Sequence, residues 1–444
     1  MAYEATRTVP AADQQAQARL PRRALAALRG SEPLRAALGP FLWTRAAILA
    51  VAVFAAQFIE PARPGAPDPG IAAFDVPALT HSLHGFGDVL LSPLARWDAV
   101  WYLSIAHSGY GHAAGPTAFF PLYPLLVRGG AELGGGSPGA LLVASYVVSL
   151  GAFLGALVLL YRLAVLELGR QAARTTLLLL CVFPGSLFFG APYSESVFLL
   201  ASVAAFYAAR TGHFAWAGLA GGAAAATRSA GVLLLLPLAL LYVIGPRPHR
   251  PGESPPYALR PDAAWLALVP LGLAAYVGWL AHAHGDGLAF LDVQHVWYRH
   301  FAGPLGGAWQ GAVAAFEGAR QLLSGAREPV YFTKAGGDPF QVAGMNLMLF
   351  AFLVLAVAAC VGALRRLPLA YGAYAAAALL LPLSFPVGPQ PLMSLPRFMA
   401  VLFPLFMWLA LRCATPERRE RVVAVSALVL GLFVTQFATW HWVA

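Results

Sequence analysis

The apolar residues of this chain occur in long blocks, most of them about as long as one membrane crossing. A spanning helix needs about 20 mostly apolar residues to cross roughly 30 Å of hydrocarbon. Strict alternation of apolar and polar residues, typical of membrane β-barrel strands, is rare. The pattern therefore predicts an all-α polytopic membrane protein. We expect about eleven transmembrane helices, near residues 41–60, 140–162, 174–190, 194–210, 213–227, 230–245, 263–283, 341–364, 368–386, 398–412 and 422–442.

The fifth and sixth predicted helices are short, and a polar break at residues 227–229 separates them. This break is either an ordinary connection or a re-entrant corner within the membrane. Both alternatives agree with the sequence.

Composition strengthens the membrane prediction. Of the 444 residues, 59% are hydrophobic and 11% are charged. Soluble domains carry about 25% charged residues. The chain therefore lacks the polar surface that a soluble domain of this length presents.

Orientation follows from the distribution of charge, because cytoplasmic segments of membrane proteins are enriched in Arg and Lys. With the N-terminus inside, the inner segments and adjoining helix ends hold 20 of the 29 basic and 8 of the 20 acidic residues. We therefore predict a cytoplasmic N-terminus and an extracytoplasmic C-terminus. The Ala-, Gly- and Arg-rich composition suggests a bacterial plasma membrane. The basic charge is an orientation signal and does not indicate nucleic-acid binding.

The sequence predicts one membrane domain, residues 41–444, after a cytoplasmic tail, residues 1–40. The first apolar run follows about forty polar residues, which favours a signal anchor over a cleaved signal peptide. The three cysteines, Cys181, Cys360 and Cys413, lie far apart and form neither a disulfide framework nor a metal motif. No cofactor and no metal site are expected.

Two predicted outer segments, residues 61–139 and 284–340, are too long to be simple connections. Long segments of this kind in compact proteins are usually functional or disordered. The aromatic content of the first argues against disorder and makes it the first place to look for a site.

A short amphipathic helix is predicted within the first outer segment, ending at Gly109. Helical spacing places Asp98, Trp101 and Tyr102 on one face. Trp and Tyr favour the headgroup level of a bilayer. The helix is therefore expected to lie at the outer interface and to present one carboxylate.

Three further charged residues, Glu195, Arg228 and Arg397, lie at the predicted outer ends of helices within apolar sequence. Charges at membrane depth are costly, and they tend to mark sites or to pair with one another. Two interpretations stay open. Either these residues form a site with Asp98, or Glu195 pairs with an arginine and joins helices.

Seven short motifs resemble the family of the GPI mannosyltransferase II (PIG-V) and its bacterial relatives. Each motif is weakly specific alone, but they occur in the order that the family shows. They lie at residues 96–98, 107–110, 119–124, 192–195, 226–229, 290–297 and 396–398.

This resemblance implies a class C glycosyltransferase fold with its active site on the extracytoplasmic face. It further implies transfer of mannose from a polyprenyl-phosphate-mannose donor to a lipid-linked or glycolipid acceptor, with inversion. The family places an acidic catalytic base in the first outer loop, which corresponds here to Asp98.

The residue chemistry agrees with these roles, because guanidinium groups bind phosphate oxygens and stabilise a leaving lipid phosphate. We expect the donor phosphate to contact Arg228, Arg397, Arg299 and His295. The donor tail should lie in an apolar groove between helices that the sequence does not locate. The aromatic rings among the substrate contacts have a second interpretation as interfacial anchors. Substrate contacts are expected from Arg96, Trp97, Trp101, Tyr102, His107, Tyr123, Tyr193, Glu195 and Gln294.

Other functions remain open at this stage. The nearest alternative is a transferase that uses another polyprenyl-phosphate sugar. A transporter would be expected to show repeated halves with broken helices near the midplane, and no repeat is apparent. A flippase or lipid-binding scaffold is a further alternative. The acceptor and the oligomeric state are unknown from sequence, and membrane lipids are the other expected partners.

Overall fold

The computed structural model describes residues 31–61, 75–111, 114–331, 337–388 and 390–443. Helices dominate these residues, and the extended pairing found among them is one antiparallel bridge between Arg299 and Val387. The α-helices are α1 (Glu32–Phe58), α2 (Pro77–Thr80), α3 (Gly85–Leu91), α4 (Ala99–Ser108), α5 (Leu122–Glu132), α6 (Pro138–Leu168), α7 (Arg170–Val182), α8 (Glu195–Arg210), α9 (Phe214–Thr227), α10 (Leu235–Val243), α11 (Leu268–His284), α12 (Ala289–Asp292), α13 (Gly306–Ser324), α14 (Pro339–Arg366), α15 (Leu369–Ser384), α16 (Leu395–Ala400), α17 (Phe403–Arg412) and α18 (Pro416–Ala438).

Short 3₁₀ helices connect several of these elements. They lie at Ser92–Leu94, Gly115–Ala118, Pro184–Phe189, Ser229–Leu234, Pro261–Ala267 and Val293–Trp297.

Five helical segments within the described residues are long and apolar enough to cross a membrane. This confirms the predicted helical structure and membrane character for the part of the chain that the structure describes. The count of about eleven crossings stays a prediction, although helical structure lies in each predicted segment. The five segments are Glu32–Phe58, Pro138–Leu168, Pro261–His284, Pro339–Arg366 and Pro416–Ala438.

Several predicted boundaries differ from the structure. Helix α1 begins at Glu32, inside the predicted tail, because Pro33 is favourable in a first helical turn and the charges there do not break a helix. Residues 1–30 of that tail lie outside the described residues. The predicted segment 398–412 is divided between α16 and α17, and the segment predicted to reach residue 442 ends at Ala438.

Two hydrophobic clusters form most of the core. One lies around α6 to α10 and α14 to α17, and the other contains α1, α4, α5 and α18. Residues 183–199 contribute to both, since Phe189 and Phe198 belong to the first cluster and Phe188 and Tyr193 to the second. This segment therefore connects the two hydrophobic clusters.

The two ends of α8 carry separate ion pairs. At its C-terminal end Arg210 contacts Glu167 of α6 at 2.6 Å, and the Tyr371 hydroxyl of α15 donates to Glu167 at 3.0 Å. At its N-terminal end Glu195 pairs with Arg228, the residue that follows α9. Neighbouring helix ends are therefore connected by charge at both ends of the bundle.

Helices α9 and α11 cross at glycines. A Cβ added to Gly222 would lie 2.7 Å from the Leu268 carbonyl oxygen, and one added to Gly272 would overlap the Gly222 carbonyl. Small residues allow the close backbone approach that stabilises helix pairs within membranes. This crossing fixes the position of α9 against α11, and therefore the position of Arg228 at the end of α9.

Replacement of Gly272 by valine should separate α9 from α11, because the new side chain meets backbone that cannot rotate away. Overpacking of this kind costs about 1–3 kcal/mol. We expect a lower apparent melting temperature for detergent-solubilised Gly272→Val. The matched control is Gly278→Val on the same helix, where a Cβ meets nothing within 4 Å. Equal melting temperatures for the two variants would contradict the tight crossing.

Candidate active site

Asp98 lies immediately before α4, and one buried tyrosine holds its backbone. The Asp98 N–H donates to the Tyr193 hydroxyl at 3.1 Å, and that hydroxyl donates to the Arg96 carbonyl at 3.0 Å. Between them, Trp97 has φ +59°, a left-handed conformation uncommon for a residue with a side chain. Such strain persists only where the surrounding structure holds it. The backbone that presents Asp98 is therefore tightly constrained.

The Asp98 carboxylate is one end of a chain of alternating charges. Arg397 Nη1 contacts Asp98 Oδ2 at 2.5 Å, and Arg397 Nε donates to Glu195 Oε1. The same Glu195 oxygen accepts from Arg228 Nη1. Glu195 has 0% of its surface exposed and Arg397 has 5%. The order of the chain is Asp98, Arg397, Glu195, Arg228.

Three separate elements deliver the buried charges to this place. Glu195 begins α8, Arg397 lies in the short helix α16, and Arg228 is an extended residue between α9 and a 3₁₀ turn (φ −156°, ψ 146°). The turn Pro184–Phe189 approaches α16 so closely that a Cβ on Gly185 would overlap the Pro396 carbonyl. The glycine therefore permits the contact that positions α16.

Arg299 comes from the second outer segment. Its own segment pairs with residues 384–388, through the bridge to Val387 and through an Ala302 N–H bond to the Ser384 carbonyl at 3.0 Å. Arg299 Nη1 donates to the Phe385 carbonyl at 3.0 Å. Burial, together with the nearby Arg397 charge, lowers the pKa of Arg299 to about 10. The group nevertheless stays protonated at neutral pH.

The ring of Phe398 contacts two of the arginines. The Arg228 guanidinium lies 5.7 Å from the centre of the Phe398 ring, and that of Arg299 lies 5.6 Å from it. Cations are attracted to aromatic faces at such distances. The ring therefore helps to hold two like charges near each other.

These groups surround a cavity of about 460 Å³. The size is within the usual range of small-molecule sites. Asp98, Arg228, Arg299 and Arg397 lie on its wall. Counted with the buried Glu195, three guanidinium groups face two carboxylates, which leaves one positive charge. The cavity is therefore suited to an anionic group.

The remaining walls are aromatic or aliphatic. Tyr102 and Trp97 lie beside Asp98, and burial, with the nearby Glu195 charge, raises the pKa of Tyr102 to about 12. The Tyr102 hydroxyl lies 2.8 Å from the Ser194 hydroxyl. An aliphatic wall continues along α15 and past α16. It includes Ala378, Leu381, Pro382, Val401 and Leu402, and the aromatic Phe385 lines the cavity with them.

About half of the sequence-predicted site residues lie on this cavity. These are Trp97, Asp98, Tyr102, Arg228, Gln294, Arg299 and Arg397. The structure does not place the others on its wall, for different reasons. Glu195 and Tyr193 lie behind the wall and hold Arg228, Arg397 and the Asp98 backbone.

The other predicted contacts point elsewhere. His107 and His295 are exposed to solvent, and Tyr123 is fully buried, bonded to Ser145 and Ser149. Trp101 stacks on Phe119 at 5.7 Å, and Arg96 stacks on Trp440 at 4.5 Å. These five residues support or flank the site rather than line the cavity.

Other cavity residues were not among the predicted site residues. Phe119, Phe120, Trp297 and Phe398 lie in motifs that the sequence analysis had noted, so their aromatic character was an available signal. Ser394 and Trp442 offered no comparable signal. Trp442 lies four residues beyond α18, where an aromatic residue is ordinary for a membrane interface.

Part of this chain matches a known protein family. The model of the mannosyltransferase (PIG-V) family matches residues 70–239. The resemblance seen in the sequence motifs is therefore confirmed over that segment. It contains Asp98, Glu195 and Arg228, whereas Arg299 and Arg397 lie beyond it.

Curated relatives agree with the PIG-V match. GPI alpha-1,6-mannosyltransferase 2 of Rattus norvegicus is 34% identical over 177 residues, 38% of this chain and 36% of the relative. The protein of the same name from Mus musculus is 35% identical over 181 residues, again 38% and 36%. The matched region thus spans little more than a third of each relative.

Solved structures show a weaker likeness. The Archaeoglobus fulgidus oligosaccharyltransferase with Zn and sulfate has a TM-score of 0.41 and 14% identity, over 89% of this chain and 53% of that one. Its apo form has a TM-score of 0.43 and 13% identity, over 91% and 56%.

Removal of the Glu195 charge should destabilise the chain. In Glu195→Gln, Arg228 and Arg397 lose the anion that compensates them. Removing one partner of a buried ion pair typically costs about 3–5 kcal/mol. The free energy of unfolding in detergent, measured with a chemical denaturant, should fall accordingly. Glu253→Gln, which removes a more exposed pair with Arg260, is the control and should change little. Similar stability of the two variants would refute a central structural role for Glu195.

Proposed function

We propose that this chain is a class C membrane glycosyltransferase that moves mannose from polyprenyl-phosphate mannose to a lipid-linked or glycolipid acceptor. The observation that carries the proposal is one cavity that combines a fixed carboxylate, a surplus guanidinium charge and an aliphatic wall. These are the groups that a base, a lipid phosphate and a hydrocarbon tail require. The PIG-V match supports sugar transfer as the reaction.

Arg299 is the proposed principal ligand of the donor phosphate. Arg397 already pairs with two carboxylates, and Arg228 pairs with Glu195. Arg299 has no carboxylate partner among the described residues, and its hydrogen bond to a carbonyl leaves its charge uncompensated. Preorganised guanidinium groups stabilise the charge that develops on a leaving phosphate. Arg228 contacts the same Phe398 ring as Arg299 and is the second proposed ligand.

Asp98 is the proposed general base. Arg397 holds Asp98 Oδ2, and no described residue makes a hydrogen bond to Oδ1. In the proposed step the acceptor hydroxyl gives its proton to Asp98, and its oxygen bonds to the anomeric carbon. The bond from that carbon to the phosphate breaks, and the lipid phosphate leaves with the electron pair. A base on the face opposite the leaving group produces inversion.

The site is proposed to face outward from a single membrane domain, residues 41–444, with the N-terminus cytoplasmic. The ion pairs at the two ends of α8 support alternating helix directions. The distribution of Arg and Lys supports the choice of side. The donor tail would leave the cavity along the aliphatic wall of α15, past Leu381 and Phe385.

Asp98→Asn should abolish most transfer while leaving the site intact, because the amide oxygen still accepts from Arg397 and the amide does not act as a base. Loss of a general base costs about 10²–10⁴-fold in rate. Purified protein would be given labelled polyprenyl-phosphate mannose and membrane lipids, with kcat and the donor KM measured. We expect kcat to fall and the donor KM to change little.

The matched control is Asp292→Asn, an exposed carboxylate at the end of α12, which should keep wild-type kcat. Transfer by Asp98→Asn within about tenfold of wild type would exclude Asp98 as the base.

In sealed right-side-out vesicles, a short-chain donor added outside should be used without permeabilisation. A requirement for permeabilisation would contradict the outward topology.

Arg299→Gln should weaken donor binding, because the two remaining arginines are balanced by two carboxylates. The loss of a fixed donor that stabilises developing charge typically costs about 10²–10³-fold in kcat, so kcat should fall as well. We expect a higher donor KM and weaker inhibition by polyprenyl phosphate. Arg320→Gln, on the exposed face of α13, is the control. An unchanged donor KM in Arg299→Gln would shift the phosphate role to Arg228.

A further inference from the structure

We infer that Trp442 forms the acceptor side of the cavity and selects acceptors that present a sugar ring next to the reacting hydroxyl. This inference rests on the proposed function. Trp442 lies outside residues 70–239, so the family match assigns it no role.

The segment after α18 is firmly held against the site. The His441 N–H donates to the Gln436 carbonyl at 2.8 Å, and Val443 is fully buried. Between them, Trp442 lies on the cavity wall. The indole is therefore a fixed part of the cavity surface.

Ring contacts place Trp442 on the Asp98 side. Its indole packs edge-on against Trp97, the neighbour of Asp98, with ring centroids 5.5 Å apart. It also lies 6.4 Å from the Phe188 ring, over which the Arg397 guanidinium sits at 5.2 Å. The direct contacts of Arg299, in contrast, are to Phe385 and Phe398. Trp97 and Trp442 thus lie beside the base, whereas Arg299 contacts Phe385 at the apolar wall.

These different contacts assign the two substrates to different groups of the cavity. A general base must contact the acceptor hydroxyl, so the acceptor enters beside Asp98 and meets Trp442. The donor phosphate and tail occupy the part of the cavity next to Arg299 and the apolar wall. The indole is therefore a contact of the acceptor and not of the donor.

The indole nitrogen indicates the chemistry of that acceptor. Trp442 Nε1 is buried and has no hydrogen-bond partner among the described residues. Buried indole N–H groups usually have one. A sugar ring supplies both hydroxyl oxygens for this N–H and an apolar C–H face for the indole. A simple alcohol or a serine side chain lacks the ring face.

The test compares Trp442→Leu and Trp442→Phe with wild type, using octyl mannoside and octyl glucoside as acceptor probes. Acceptor KM, donor KM and the rate of donor hydrolysis by water are measured separately. We expect Trp442→Leu to raise the acceptor KM about tenfold while donor KM and hydrolysis persist. Trp442→Phe, which keeps a ring face, should recover part of the loss. Trp216→Leu, at a 67% exposed tryptophan on α9, controls for loss of an indole elsewhere.

Three results would overturn the inference. The first is an unchanged acceptor KM in Trp442→Leu. The second is an equal loss of transfer, hydrolysis and donor affinity, which would indicate a structural role for Trp442. The third is wild-type hydrolysis of the donor, or its transfer to a serine-containing peptide, without transfer to either glycoside. A wild-type protein that neither binds nor hydrolyses the donor would instead refute the proposed function.

Discussion

Glu195 shares one carboxylate oxygen between two guanidinium groups without exposure to water, and the surrounding architecture has to satisfy that arrangement. Burying a charge without a partner costs several kcal/mol, and the pair compensates only when its geometry is good. The start of α8, the end of α9 and helix α16 must therefore meet at one point. The glycine contacts at Gly185 and Gly222 allow the required approach. The packing of these helices and the distribution of charge around the cavity therefore depend on the same contacts.

The Glu195 carboxylate also explains why Arg397 does not fully neutralise Asp98. Arg397 could neutralise a single partner completely, but here its charge is divided between Glu195 and Asp98. Glu195 also compensates Arg228, which lowers the repulsion between guanidinium groups around the cavity. The surplus positive charge is then left to Arg299, which contacts Phe385 at the apolar wall. Glu195, which does not line the cavity, therefore determines how charge is distributed on the cavity wall.

Sequence reasoning located the helices and the charged residues well, because both signals are local. Long apolar blocks coincide with helices, and polar residues at their predicted outer ends include Glu195, Arg228 and Arg397. The two interpretations of Glu195, a site residue or a helix-joining ion pair, differ only in three-dimensional geometry. The structure favours the ion pair for Glu195 itself, although both of its partners line the cavity.

What sequence did not provide were the long-range contacts. Arg299 reaches the site because residues 298–302 pair with residues 384–388, and no local pattern predicts which outer segments meet. Trp442 is ordinary in sequence and becomes part of the cavity only because its segment folds back from α18. His107 and His295 had suitable chemistry in suitable motifs, yet both are exposed and neither lines the cavity.

Backbone strain provides an independent view of the same cavity. Five non-glycine residues in the described chain have positive φ, and four of them are Trp97, Tyr298, Ser394 and Trp440. Trp97 and Ser394 line the cavity, Tyr298 precedes Arg299, and Trp440 packs against Trp97. Strained conformations cluster at sites where groups must be held in place before the ligand arrives. A cavity that stabilises developing charge benefits from such rigidity, since fixed donors need no reorganisation during reaction. The strained residues lie in irregular segments outside the regular helices. The helices alone therefore do not specify the site.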